Sequence, residues 1–361
     1  MPSFRIGTVD SVLEGRAGFQ RVLVALGEGT QPERAYVLTM LTGAVAPGDR
    51  VIVNTTAVDL GLGTGGWHVV HWNLERTEWH QPGPGHVLKR RYTSFQTDVG
   101  TTEEHSAELT DVVSIDGMPV VAAALHSQLP GIAVALKHAR PDLRVAYVMT
   151  DAAALPIAVS DLVAALCDRS IIDVTITCGH AFGGDYEAVS VYSALAVARH
   201  VAGADVAIVV MGPGIVGTAT RLGFSGIELG PILDAVAGLR GVPIACLRAS
   251  FADERERHWG VSHHALTALT VACRSHVMVA LPAVGGEAEK RLRDDLDRAG
   301  IDRLHDIVAV EPPDILELFA AHELDISSMG RPAAADPILF QSAAAAGTLA
   351  AQVAPAAQAR R

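Results

Sequence analysis

Five short segments bring together side chains whose types and spacing could do chemistry. "HSQLPG" offers His126 and Ser127, and Asp151 follows "RVAYVMT" directly. "CGHAFGGDYE" brings His180 and Asp185, with Cys178 and Glu187 beside them. "MGPGIVGTAT" spaces Gly212, Gly214 and Gly217 as G-x-G-x-x-G and follows them with Thr218 and Thr220. "RASFADERERHWGVSHH" is the densest in charge, with Arg248, Arg255 and Arg257 ahead of His258, His263 and His264. Imidazole and carboxylate side chains move protons. A glycine-rich loop lets backbone N–H groups approach an anion, and nearby hydroxyls add donors. Guanidinium groups grip phosphate or carboxylate through two parallel hydrogen bonds. His180, Asp151, Asp185 and His126 are therefore the expected acid–base residues. Gly212, Gly214, Gly217, Thr218, Thr220, Arg248, Arg255 and Arg257 are expected to hold the ligand.

Each segment follows an apolar run of strand length. The runs are "PVVAAAL" (119–125), "RVAYVMT" (144–150), "DVTIT" (173–177), "DVAIVVM" (205–211) and "VPIACL" (242–247). "HVMVALP" (276–282) and "DIVAVE" (306–311) continue the series, with amphipathic helix-length stretches between all seven. Uniformly apolar strands are expected where helices cover both sheet faces. The class is thus α/β, with a mostly parallel, helix-flanked, Rossmann-like sheet. Ligands in such sheets bind beyond the carboxyl ends of the strands, where these five segments would meet.

The glycine fingerprint itself is incomplete. A dinucleotide site needs a helix directly behind the glycines and an acidic residue about 20 residues on. Here "TATRLGFSGIELG" adds Gly223, Gly226 and Gly230, each costing about 1 kcal/mol inside a helix, and the next strand leads into Arg248. A phosphate or carboxylate fits the loop better than a nicotinamide or flavin. The histidines of "HWGVSHH" follow no established ligand spacing and HExxH is absent, so no metal is expected. Asp185 would also serve as a helix N-cap. No G-x-S-x-G elbow follows a strand, and "GLGTGGWH", with Gly61, Gly63, Gly65 and Gly66, lacks the Lys of a Walker A loop.

Residues 1–97 have a different grammar. "FRIGTVDSVL", "QRVLVAL", "RAYVLTML", "DRVIVNTTAV" and "WHVVHWNL" are short Val-rich strands set apart by turn residues, the pattern of a smaller N-terminal all-β, barrel-like domain. Residues 98–117 read as a linker, 118–340 as the α/β domain, and 341–361 as an Ala-rich helix and tail.

The bulk composition narrows the function. Of 361 residues, 49% are hydrophobic and 19% charged, enough for large buried cores. A net charge of −12 argues against binding nucleic acid, which needs basic surface. Four cysteines without a CxxC pair suit reduced core thiols. No signal peptide or membrane span of about 20 residues is visible, so a soluble cytoplasmic protein is expected, with a homodimer as the default assembly.

In "NTTAVDLGLGTGGWHVVHWNL", "TCGHAFGGDYEAV", "MGPGIVGTATRLGFSGIE" and "SFADERERHWGVSHHALTAL" the chain resembles a bacterial family catalogued only as a domain of unknown function. The resemblance spans nearly the whole length and implies no activity. The residues themselves point to a small anionic, phosphorylated or nucleotide-like ligand, with acid–base or group-transfer chemistry. A non-catalytic sensor or assembly protein, an NADP-dependent oxidoreductase and a metal-dependent hydrolase are the alternatives. The sequence names no cofactor.

Overall fold

The structure is a computed structural model that describes residues 2–62, 65–151 and 153–356. Gly63 of the glycine-rich turn lies outside the described residues. The chain divides into two compact units, Met1–Val99 and Gly100–Arg361.

In the first unit β1 (Phe4–Arg16), β2 (Phe19–Ala25), β3 (Glu33–Val37), β4 (Arg50–Asn54) and β5 (His68–Asn73) close into a barrel of order β1-β2-β3-β5-β4. The long β1 serves two neighbours: Thr8 pairs with Ala25 on one side and Arg50 on the other. Irregularities after Val9 and Val12 bend the strand round the closure. Val9, Val22, Val24, Val37, Val51 and Val53 fill the interior, following the two-residue period of strands. Two runs that read as single strands end in helical turns, α1 (Thr39–Thr42) and α2 (Thr56–Asp59). A short pair, β6 (Leu88–Lys89) and β7 (Thr97–Asp98), follows the barrel.

The second unit is built on an eight-stranded sheet. Its strands are β8 (Pro119–Ala123), β9 (Val145–Thr150), β10 (Val174–Thr177), β11 (Tyr186–Glu187), β12 (Val206–Met211) and β13 (Val242–Cys246), then β16 (Met278–Pro282) and β17 (Asp306–Val310). Between the last groups lies a two-residue pair, β14 (Ala249–Ser250) with β15 (Gly260–Val261). The order is β11-β10-β9-β12-β8-β13-β16-β17, and every pairing is parallel. Residues 100–117, read from sequence as a linker, belong to this unit; the Ile115 N–H donates to the Leu239 carbonyl at 2.8 Å.

Helices cover both faces. One core holds residues of α3 (Leu129–Ala139), α4 (Asp161–Asp168), α9 (Ile315–Ala321) and α10 (Pro337–Val353). The other holds those of α5 (Val191–Ala196), α6 (Leu229–Gly238), α7 (His263–Thr267) and α8 (Gly286–Ala299). Alternate residues of β8 face each core, Val121 and Ala123 one way, Val120 and Ala122 the other, which is why these strands read as continuous apolar runs. The Ala-rich C-terminal stretch forms a buried helix rather than a fringe. Gly131 of α3 faces Ala343 and the Phe340 carbonyl of α10, and Gly347 of α10 lies against the Ile132 backbone. Small residues allow that close approach. Among the described residues no helix is long and apolar enough to cross a membrane.

Candidate functional site

Because the strands are parallel, their carboxyl ends share one rim. Along it lie His180 after β10, Asp151 after β9, Gly212 after β12, His126 after β8 and Arg248 after β13. β8 and β12 are hydrogen-bonded neighbours, yet the helix leaving β8 packs in one core and the helix leaving β12 in the other. Such a divergence opens a crevice at the strand ends. Here it is a cleft of about 360 Å³ lined by His126, Ser127, Leu162, Gly212, Gly214 and Ser328, among others. Ser328 comes from a hairpin, β18 (Ser327–Ser328) and β19 (Arg331–Pro332). Its turn, Met329 and Gly330, has φ of 53° and 76°, as a two-residue hairpin turn requires. The Ser328 hydroxyl is 2.8 Å from that of Ser127.

His126 is fixed at both nitrogens. Nδ1 lies 3.2 Å from the Met211 carbonyl, which only accepts, so Nδ1 carries the proton. Nε2 therefore accepts from the Ser160 hydroxyl at 2.7 Å. Ser160 is the N-cap of α4 and accepts from the Val163 N–H at 3.1 Å. Burial holds the His126 pKa down at about 4, so the ring is neutral at physiological pH. Tyr147, wholly buried, sets its hydroxyl 3.4 Å from Nδ1 and donates to the Val210 carbonyl.

Beside the crevice, His180 and Asp151 are joined through the main chain: the backbone N–H of His180 donates to Asp151 Oδ2 at 3.0 Å. Gly179 makes this possible, since its φ is 65° and a Cβ there would fall 2.7 Å from the Asp151 carboxyl carbon. Gly214, with φ 112°, approaches Ala153 in the same way.

Glu228, in the turn that leads into α6, accepts from the Thr150 hydroxyl at 2.6 Å. Burial, opposed by that hydrogen bond and reinforced by the Asp151 charge, raises its pKa to about 7. A carboxyl poised near neutrality at a strand end is a recurrent sign of function. Nothing in the sequence marks it, because a Glu at the start of a helix looks like an ordinary first-turn acid.

Several expected residues are engaged elsewhere. Asp185 caps no helix; its carboxylate accepts from the Thr175 N–H and hydroxyl, both at 2.8 Å, along the outer side of β10. Thr218 and Thr220 bond each other at 2.8 Å and close the loop's own turn on Gly223. Gly217 bridges Phe224 in an antiparallel contact, so no helix starts behind the third glycine and the dinucleotide geometry is not formed. Arg255 is held by Asp253 through two 2.8 Å bonds. Arg257 is exposed.

Arg248 is buried, and burial lowers its pKa to about 10, leaving it charged at neutral pH. It lies 3.9 Å from Asp253 and donates to His264 Nδ1 at 3.2 Å. Arg331 of the hairpin meets Asp336 at 3.2 Å, tying the crevice to this charged flank. On the flank His258, His263 and His264 converge, with one nitrogen of each within 4.8 Å of the others. His263 Nε2 and His264 Nε2 are buried without a hydrogen-bond partner, a state that costs about 1–3 kcal/mol per atom. None of the four cysteines is in a disulfide, and three of them are buried.

Barrel, parallel sheet and switch-point crevice define a two-unit α/β protein whose second unit is Rossmann-like. A family model described as "Protein of unknown function (DUF3866)" matches residues 34–347, and the chain belongs to that family. No curated protein matches the chain.

Proposed function

We propose that this protein binds a small anionic metabolite, phosphorylated or nucleotide-like, in the crevice between β8 and β12, and carries out acid–base or group-transfer chemistry on it. The crevice itself carries the reading: residues from two strand ends, the start of α4 and a covering hairpin meet in one cleft. Three features support an anion. α3 and α4 begin at the cleft, and helix N-termini favour negative charge. Gly214 leaves its backbone uncovered by a side chain at the wall. Arg248 adds a buried positive charge on the next strand.

His126 and Glu228 are the proton-moving groups in this reading, with the side chains of Asp151 and His180 on the adjoining strand ends as further candidates. Asp185, Thr218, Thr220 and Arg255 are occupied by structural partners and leave the proposed site. A thermal-shift screen of inorganic phosphate, phosphorylated metabolites and nucleotides tests it. A ligand at 100 times its dissociation constant adds about 2.7 kcal/mol to the folded state. The shift should vanish in His126→Ala and in Leu162→Trp, which narrows the cleft. A screen without any shift, or a shift that survives both substitutions, rejects the site.

A further inference from the structure

The segment from His258 to His264 folds three imidazoles onto one another outside the crevice. Their ring centroids are 5.0, 4.8 and 4.2 Å apart. His258 is 1% exposed and His264 6%. Each is oriented by a neighbour. Ser262, the cap of α7, lies 2.7 Å from His258 Nδ1 and accepts from the His264 N–H. Phe224 stacks on the His264 ring at 3.9 Å with planes 2° apart. Gly217 leaves room beside both rings, where a Cβ would come 3.3 Å from His264 Cε1 and 3.4 Å from Phe224 Cβ. Two nitrogens of the cluster, His263 Nε2 and His264 Nε2, are the buried orphans described above.

We propose that His258, His263 and His264 form a site for one divalent transition-metal ion of the zinc class, with a fourth position open. Three imidazoles without a carboxylate among them suit zinc, cobalt or nickel and not magnesium or calcium, which demand oxygen ligands. Zn–N bonds of 2.0–2.1 Å place tetrahedral ligands about 3.3 Å apart. The nitrogens, now within 4.8 Å, close by about 1.5 Å at most, a movement available to side-chain rotation. Held on one short segment by Ser262 and Phe224, the rings have the outer-shell support that metal-binding histidines require. Arg248 donates to His264 Nδ1 in the metal-free protein. An ion on Nε2 moves the ring proton to Nδ1, so Arg248 gives up that bond. Its charge beside the ion calls for an anionic fourth ligand, hydroxide being the simplest. This site stands apart from the crevice and does not depend on the crevice's function.

The test uses untagged full-length protein, stripped with a chelator and titrated with Co²⁺. The expected result is one equivalent bound, with the visible absorption of a four-coordinate site, and displacement by Zn²⁺. His258→Ala and His264→Ala should each weaken binding by at least about 100-fold. Half-buried His263 provides the variant least disturbing to the fold, and His263→Gln should do the same with unchanged far-UV circular dichroism. Failure to take up close to one equivalent, or uptake undiminished in His263→Gln, overturns the site. Phosphate binding measured on the stripped protein tests the crevice separately.

Discussion

The hydroxyl of Ser160 lies 2.7 Å from Nε2 of His126, and the proton in that bond belongs to the serine. The assignment follows from the opposite side of the ring, where Nδ1 can only donate to the Met211 carbonyl. One serine thus starts α4 and fixes the tautomer of the crevice histidine. Ser160→Ala removes both roles. It should lower stability by about 1–2 kcal/mol, read as a shift in urea midpoint with unchanged slope. Ser160→Thr, which keeps the hydroxyl, should recover most of the loss; equal losses in the two variants would mean that the hydroxyl matters little.

Glu228 makes stability fall with rising pH. Its folded pKa of about 7 lies above that of a free glutamate, near 4.3. Below both values the carboxyl is protonated in either state and folding is not penalised. As pH rises from about 4.3 to 7 the unfolded chain loses the proton first, so the folded state loses about 3–4 kcal/mol of relative stability. Glu228→Gln should abolish this decline and be the more stable protein at pH 8. Parallel pH profiles for the two proteins, from urea unfolding, would sink the assignment.

Asp253 is buried among Arg248, Arg255 and Arg331. The Arg255 guanidinium holds its carboxyl well below the usual range. Asp253→Asn leaves Arg248 buried beside two other cations and should cost about 3 kcal/mol at pH 7. The loss should shrink as pH falls below about 4, where the wild-type carboxyl in the unfolded chain is protonated and its contribution fades. Denaturation at pH 7 and pH 3 checks both halves of the statement.

At the α3–α10 crossing, Gly347→Ala would force its Cβ into the Ile132 backbone. Helix propensity alone favours the alanine by about 1 kcal/mol. Overpacking costs about 1–3 kcal/mol, and against backbone the upper end applies, so net destabilisation is expected. A rise in melting temperature would show that the two helices can part cheaply.

Much of this architecture was legible because buried parallel strands leave a plain trace. The seven apolar runs became strands, and the turns after them met on one rim, as a sheet with helices on both faces requires. What the loops did there was not legible. Asp185 and Thr175, or Thr218 and Gly223, find each other through turns whose closure depends on backbone angles that residue types do not declare. Glu228 and Ser160 were hidden by ordinary uses: one resembles a first-turn acid, the other an N-cap. Ser160 is indeed a cap, and only the distance to His126 reveals its second bond. The three histidines were visible as a dense patch, but their convergence depends on the turn at Gly260, whose φ is 78°, bringing His258 back over α7.

The pairing of α3 with α10 joins the first helix of the parallel unit to its last. Until residue 353 has been synthesised, the side of α3 that meets α10 has no complete cover, and a nascent chain must carry it exposed. Contacts so distant in sequence slow folding and invite association between incomplete chains. Loss of the final helix should therefore leave an aggregation-prone polypeptide for chaperones to hold rather than a smaller working protein.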